Sequence, residues 1–217
     1  MACLNRSLAN LRLQRPGKAA SDASRGTDAT APSEKGRFRE ARALYELGHF
    51  QASLEKLQDL LTTHPGNAAA ASEMNRAKER IREQQTGEYN FRHMYEQAKE
   101  TPRIIDSATF SAPVEVRGDV PGREHGLFTT VPVVAGQLLL CEKAFGYSSA
   151  NKESVIRVYM NLGTGRITAG LQAQLLSQVV QKLYHGHEQS REFCDLYCGD
   201  HTVIPVSETD GIPVVNT

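Results

Sequence analysis

Shifted by 34 residues, the first part of this sequence falls onto itself. Ser7 meets Ala41, Leu13 meets Leu47, Ala19 meets Ser53 and Ala20 meets Leu54. A period of that length confines the start of the chain to a supersecondary unit repeated in tandem, each copy covering its apolar face with its neighbours. In the second copy, the small residues Ala41 and Ser53 let two antiparallel helices come close, and Gly48 suits the short turn between them. Pro65 ends the second helix, because it has no N–H and clashes with the preceding turn. Leu44, Phe50, Leu57 and Leu60 supply the packing. The first copy departs, with Gln14 at the turn position and Pro16 at the aromatic position, and its first helix is expected to begin at or before residue 1. A third helix is predicted over residues 68–85, with Met74, Ala77, Lys78 and Ile81 on one stripe and Glu79, Arg80, Glu83 and Gln84 off it.

The period and the run Ala41, Leu44, Gly48, Phe50, Ser53, Leu57, Leu60, Pro65 resemble the tetratricopeptide repeat. The resemblance implies helical hairpins over residues 1–67, the first incomplete, closed by a capping helix over 68–86. Repeats of this kind line one face with their first helices. Asn5 and Arg39 are 34 apart and so share a repeat position, and Lys35 lies one turn before Arg39. Leu4-Asn5-Arg6-Ser7 and Lys35-Gly36-Arg37-Phe38-Arg39-Glu40-Ala41 together resemble the dicarboxylate clamp of chaperone-binding members of the family. That resemblance implies a protein or peptide partner with an acidic, free C-terminus, such as a chaperone tail. Charge-assisted bonds from Lys and Arg at i, i+4 suit the task. The Lys and Asn that the family clamp draws from an earlier repeat have no counterpart here, and the other reading of Lys35 and Arg39 is as ordinary solvated charges.

Residues 87–108 read as a linker, with Tyr89, Phe91, Met94 and Tyr95 as an aromatic cluster and Pro102 as a helix breaker. Beyond it the pattern becomes that of strands: 110–116, 127–130 and 137–145, separated by Gly118-Asp119, Pro121-Gly122 and Ala135-Gly136 turns.

The run from Val114 to Glu142 resembles the opening of a SET domain, through His125-Gly126-Leu127-Phe128 and the later Ala135-Gly136-Gln137-Leu138-Leu139. The resemblance implies an S-adenosylmethionine-binding turn at Arg123, His125 and Gly126, with glycine needed where the main chain approaches the cofactor. Glu124 stands where the family has its first glycine, adding bulk and a negative charge near the cofactor's own carboxylate. No Asn here is followed by His, whereas the family completes its site with an Asn-His motif and a later Tyr. The resemblance therefore implies a protein-lysine methyltransferase family. The chain itself is expected to be cut short at both ends and catalytically incompetent, since methyl transfer depends on in-line positioning. The order of modules resembles fungal-type tetratricopeptide-SET proteins.

Residues 109–217 are thus expected to hold the first part of that domain with a helical insert. Leu171, Leu175, Val179 and Leu183 predict an amphipathic helix over 171–184, and apolar runs at 203–206 and 212–215 bracket an Asp210-Gly211 turn. Cys194, Cys198 and His201, even with His185 and His187, lack the paired Cys-x-x-Cys spacing of structural zinc, so no metal is expected. Cys141 reads as a buried small hydrophobe.

The fold class is therefore α+β: helical hairpins and a capping helix, then a partial β domain with a helical insert. With 25 basic and 25 acidic residues and a pI near 7.1, no global field draws the chain to nucleic acid or an anionic membrane. No apolar run approaches the roughly 20 residues of a membrane span, and the four scattered cysteines read as reduced thiols. A soluble cytoplasmic or nuclear protein is expected.

Overall fold

A computed structural model describes residues 2–26, 33–100, 104–118, 125–149, 158–186, 190, 193, 194, 196, 206–209 and 212–215. The chain is α+β and divides into two compact units, residues 1–143 and 144–217.

The first unit opens with α1 (Ala2–Arg12), α2 (Pro16–Gly26), α3 (Glu34–Glu46), α4 (Phe50–Thr63) and α5 (Ala68–Thr86). Each packs on the next, and α1 also meets α3 as α3 meets α5. The 34-residue offset survives in the geometry. Ser33 and Asn67, 34 apart, cap α3 and α5 by accepting from the N–H of Gly36 and Ala70. Such caps satisfy helix-end donors and contribute about 1 kcal/mol each. Proline at the first position of α2 stands where Phe50 begins α4, and its missing N–H costs nothing there.

Within the two hairpins the same contacts recur with the partners exchanged. The Ser7 hydroxyl of α1 donates to the Ala19 carbonyl of α2 at 2.8 Å, while in the second hairpin the Ser53 hydroxyl of α4 donates to the Ala41 carbonyl of α3 at 2.7 Å. All four residues are fully buried, so the helices touch through a hydroxyl and a methyl. Arg6 pairs with Asp22 across the first hairpin, and Glu40 pairs with Lys56 at the equivalent positions of the second with the charges reversed. The Arg6 guanidinium grips Asp22 through two bonds of 2.8 and 2.6 Å, and Asn10 adds a third at 3.0 Å. The bond from Arg6 holds the Asp22 carboxyl below its ordinary range against the opposing effect of burial.

The turn position tells the same story. Gly48 has φ +81°, and Gln14 adopts φ +55° at the equivalent place. A left-handed conformation costs a residue with a Cβ about 1–2 kcal/mol. Gln14→Gly is therefore expected to raise stability by about 1 kcal/mol, part of the relief being offset by the freer unfolded chain. A urea midpoint that falls in this variant would show the turn to be unstrained.

Two apolar clusters join α3, α4 and α5. Ala41, Leu57, Leu60 and Ala70 form one, flanked by Phe38, Leu61 and Met74; Tyr45, Phe50, Ala77 and Ala108 form the other, flanked by Leu54 and Ile81. The predicted stripe of α5 needs correcting at two points. Lys78 is exposed, whereas Arg80 and Glu83 are buried. The helix ends at Gly87, whose φ of +69° supplies a left-handed cap.

A short helix, α6 (Phe91–Gln97), lies within the expected linker, its N-terminus capped by Asn90. Of the aromatic cluster expected there, Tyr89 and Phe91 stack with ring centroids 5.9 Å apart, while Phe91 and Tyr95 are exposed. Then come β1 (Phe110–Ser111), β2 (Val114–Arg117), β3 (Gly126–Thr129) and β4 (Leu140–Cys141). β1 pairs antiparallel with β4, and β2 with β3. The strand expected over 110–116 is broken at Ala112–Pro113, a cis peptide, because proline brings no donor to the ladder. The strand expected over 137–145 shrinks to two residues, preceded by the predicted Ala135-Gly136 turn with Gly136 at φ +86°. Cys141 is half-exposed rather than buried, since a ladder this short leaves its edges open.

In the second unit, β5 (Val158–Met160) pairs with β6 (Ile167–Ala169) and leads into α7 (Gly170–His185). Asn161 builds the hairpin turn by accepting from the N–H groups of Gly163 and Thr164 at 2.9 and 3.1 Å. Along α7 only Ala173 is buried, while Leu171, Leu175, Leu176 and Val180 are exposed. A last hairpin joins β7 (Val206–Thr209) to β8 (Ile212–Val215). β7 begins where the apolar run expected over 203–206 ends; residues 203–205 and the Asp210-Gly211 turn lie outside the described residues. Among the described residues, no helix is long and apolar enough to cross a membrane.

Candidate functional site

The first helix of each repeat, α1, α3 and α5, turns one row of side chains to a common face. Because each side chain recurs at 34-residue intervals, Asn5, Arg39 and Glu73 share one row and Arg42 and Arg76 another. Of the expected clamp residues, Asn5 and Lys35 are exposed. Arg39 is half-buried and donates to the Leu4 main-chain carbonyl at 2.6 Å, tying α3 to α1 through one of its five N–H donors. Arg42 lies 3.9 Å from the Glu73 carboxylate, which Arg76 also engages at 3.0 Å.

Farther along the same face lies a polar centre that periodicity alone did not disclose. The Asp106 carboxylate receives Arg76 Nε at 2.7 Å and Arg80 Nη1 at 3.0 Å, and the Tyr45 hydroxyl lies 2.8 and 2.9 Å from its two oxygens. Arg80 also donates to the Asp106 carbonyl at 2.6 Å and to Glu83 at 2.7 Å. Glu83 in turn accepts the Ala108 N–H at 2.9 Å, and the Tyr89 hydroxyl donates to the Ala108 carbonyl. The Arg76 guanidinium lies over the Tyr45 ring, 4.2 Å from its centroid, a cation–π arrangement. Burial pushes the Asp106 carboxyl up, but the bonds from Arg76 and Tyr45 and the charges of Arg76 and Arg80 outweigh it and hold the carboxyl below its usual range. Burial, together with the bond to Asp106, pushes the Tyr45 phenol up, so it stays protonated and donates. The buried Arg80 and Glu83 are thus paired ions, the form in which charge is tolerated inside a protein. A sequence signal existed: Arg80 and Glu83 are i, i+3 partners, yet their further partners, Asp106 for Arg80 and the Ala108 N–H for Glu83, are 26 and 25 residues away.

Of the expected cofactor turn, His125 and Gly126 are described, and Arg123 and Glu124 lie outside the described residues. Gly126 opens β3 opposite Arg117, with Leu127 opposite Val116 and Phe128 opposite Glu115. It therefore sits in extended backbone. His125 and the flanking Leu127 and Phe128 are exposed. These residues belong to an exposed two-stranded ladder and do not by themselves enclose a molecule the size of S-adenosylmethionine. Cys198, His187 and His201 lie outside the described residues, and among the described residues no group of three metal-ligating side chains is found.

Comparison with protein-family models finds no match. Along its whole length the chain is similar to a protein named methyltransferase from Gibberella zeae, with 52% identity over 220 residues. The chain spans 30% of the length of that relative.

Proposed function

We propose that this chain is the tetratricopeptide-repeat and early SET-domain part of a protein-lysine methyltransferase that uses S-adenosylmethionine, working in the cytoplasm or nucleus. The observation that carries the reading is the 52% identity to a protein named methyltransferase over the whole of this chain. In this reading Arg123 and His125, which precede β3 in sequence, and Gly126, which opens it, supply one wall of the methyl-donor site. The bound donor would supply the methyl group, and this chain's residues would do no more than hold its edge. The 217-residue chain alone should then transfer no label from tritiated S-adenosylmethionine to lysine-bearing peptides; incorporation above background would overturn that. A chimera in which this chain replaces the matching 30% of the Gibberella relative tests the turn directly. It should bind S-adenosylmethionine, and Gly126→Val should weaken binding at least about tenfold by placing side-chain bulk where the main chain approaches the donor. Unchanged affinity would remove Gly126 from the site.

A second reading concerns the helices, favoured by Lys35, Arg39 and Asn5 on the shared face. Here the repeats capture an acidic, free-carboxylate peptide of the kind found on chaperone tails. Substituting alanine for Lys35 and Arg39 together should lower affinity for such a peptide at least about tenfold, since two charge-assisted bonds are lost. Equal binding by the altered and unaltered chains would end this reading.

A further inference from the structure

One end of the helical face is already filled by the chain's own backbone. Residues 104–108 cross it without regular secondary structure, and Asp106 enters the space between α3 and α5. There a phenol and two guanidinium groups converge on one carboxylate, from side chains whose only common feature is that they face this groove. Ser107 and Ala108, the next two residues, are buried against the same helices. This is how a protein reads an acidic residue in an extended peptide: charge-assisted donors fix the carboxylate, and a tight pocket admits only small side chains at the next two positions.

We propose that residues 104–108 act as an internal ligand of this groove. The groove would accept from another protein an extended peptide bearing an acidic residue, in exchange for Asp106. The proposal deepens the peptide-scaffold reading and rests on it. A tethered segment holds its site at an effective concentration in the millimolar range, so a competitor needs contacts that the tether lacks. Such contacts are present on the same face. Lys35 and Arg39 have no carboxylate partner among the described residues, and Arg42 is 3.9 Å from its nearest one. An acidic peptide long enough to reach from Tyr45 toward Arg39 would engage these as well, whereas the internal segment stops at Arg76 and Tyr45. Exchange does not require the strands to unfold. Glu83 holds the Ala108 N–H, and the Phe110 ring packs so closely over Gly87 that a Cβ there would lie 2.8 Å from it. Those two contacts anchor the far end of the segment while the Asp106 end lifts.

The test uses the full chain and a fluorescent peptide of sequence Ile-Ile-Asp-Ser-Ala-Thr-Phe, copied from residues 104–110. By fluorescence anisotropy, Asp106→Asn should bind this peptide at least about tenfold more tightly than the unaltered chain, because the tethered competitor is weakened. A peptide with Asn in place of Asp should bind neither. Equal affinity for both chains, or no binding by either while helical circular dichroism is retained, would overturn the proposal. Should Asp106→Asn fail to fold, amide exchange in the unaltered chain decides. The Asp106 N–H, which donates to Gln97 at 3.0 Å, should exchange faster when the acidic peptide is added in millimolar excess. An unchanged rate would overturn the proposal. Failure of the clamp reading is separate: alanine at Lys35 and Arg39 would then leave peptide affinity unchanged while the Asp106→Asn effect persisted.

Discussion

Asp106→Ala is expected to destabilise the first unit by about 3 kcal/mol, because the change strands two buried or half-buried guanidinium groups and a buried phenol that now share one carboxylate. Arg80 suffers most. Its side chain is 7% exposed, and its Nε already lacks a partner, so losing Asp106 leaves Glu83 at 2.7 Å and the exposed Glu79 at 3.7 Å as its counter-charges. The dependence on pH comes from the direction of the shift. The folded state holds the Asp106 carboxyl below its unfolded value, so the stability it contributes is complete above about pH 4 and is lost as the pH falls through the folded value. Asp22 is shifted the same way and acts in the same window. Chemical denaturation at several pH values should therefore show acid loss in the unaltered chain and a flatter profile below pH 4 in Asp106→Asn, with the remaining slope due to Asp22. If Asp106→Ala cost less than about 1 kcal/mol, the polar centre would be an exposed ion pair in its energetics.

Leu57→Ala should cost about 3 kcal/mol, the sum of lost burial and an unfilled cavity. Leu57 is 1% exposed and sits among Ala41, Leu60 and Ala70, with Phe38, Leu61 and Met74 around them. Ala41 and Ala70, on the two flanking helices, are too short to reach into the space left. Because α3, α4 and α5 all border it, one truncation should loosen the whole stack and lower the midpoint for every helical probe together. Leu61→Ala, at a half-exposed position beside the same cluster, should cost about half as much. Equal costs at the two positions would mean that the cluster is not the anchor of the stack.

The helices were legible because their signals are local and periodic. The 34-residue offset, with Ala41, Ser53 and Gly48, pointed to paired helices at the front of the chain, and the stripe at Leu171, Leu175, Val179 and Leu183 gave α7 within one residue at each end. The features that escaped are decided at a distance. Arg80 and Glu83 read as solvated because an amphipathic pattern assigns charge to water; Asp106 and the Ala108 N–H, brought back across the face, make their burial tolerable. The same spacing puts Lys78 inward, and among the described residues no carboxylate comes back to pair with it. The β5–β6 hairpin carries a local signal in the turn residues Asn161 to Gly165, where an asparagine side chain satisfies two main-chain donors, but its strands are too short to show a period. The clamp reading of Arg39 gave no sign of its bond to the Leu4 carbonyl, which depends on how α1 leans on α3.

The reversed ion pairs have a consequence for assembly. Two hairpins this alike invite a helix to settle against the wrong copy, a recurrent hazard in tandem arrays. Were α1 to take the place of α3 in the second hairpin, Arg6 would confront Lys56; were α3 to take the place of α1 in the first, Glu40 would confront Asp22. Each wrong partnering sets like against like, so the inverted polarity acts as an address label that tells every helix which twin is its own.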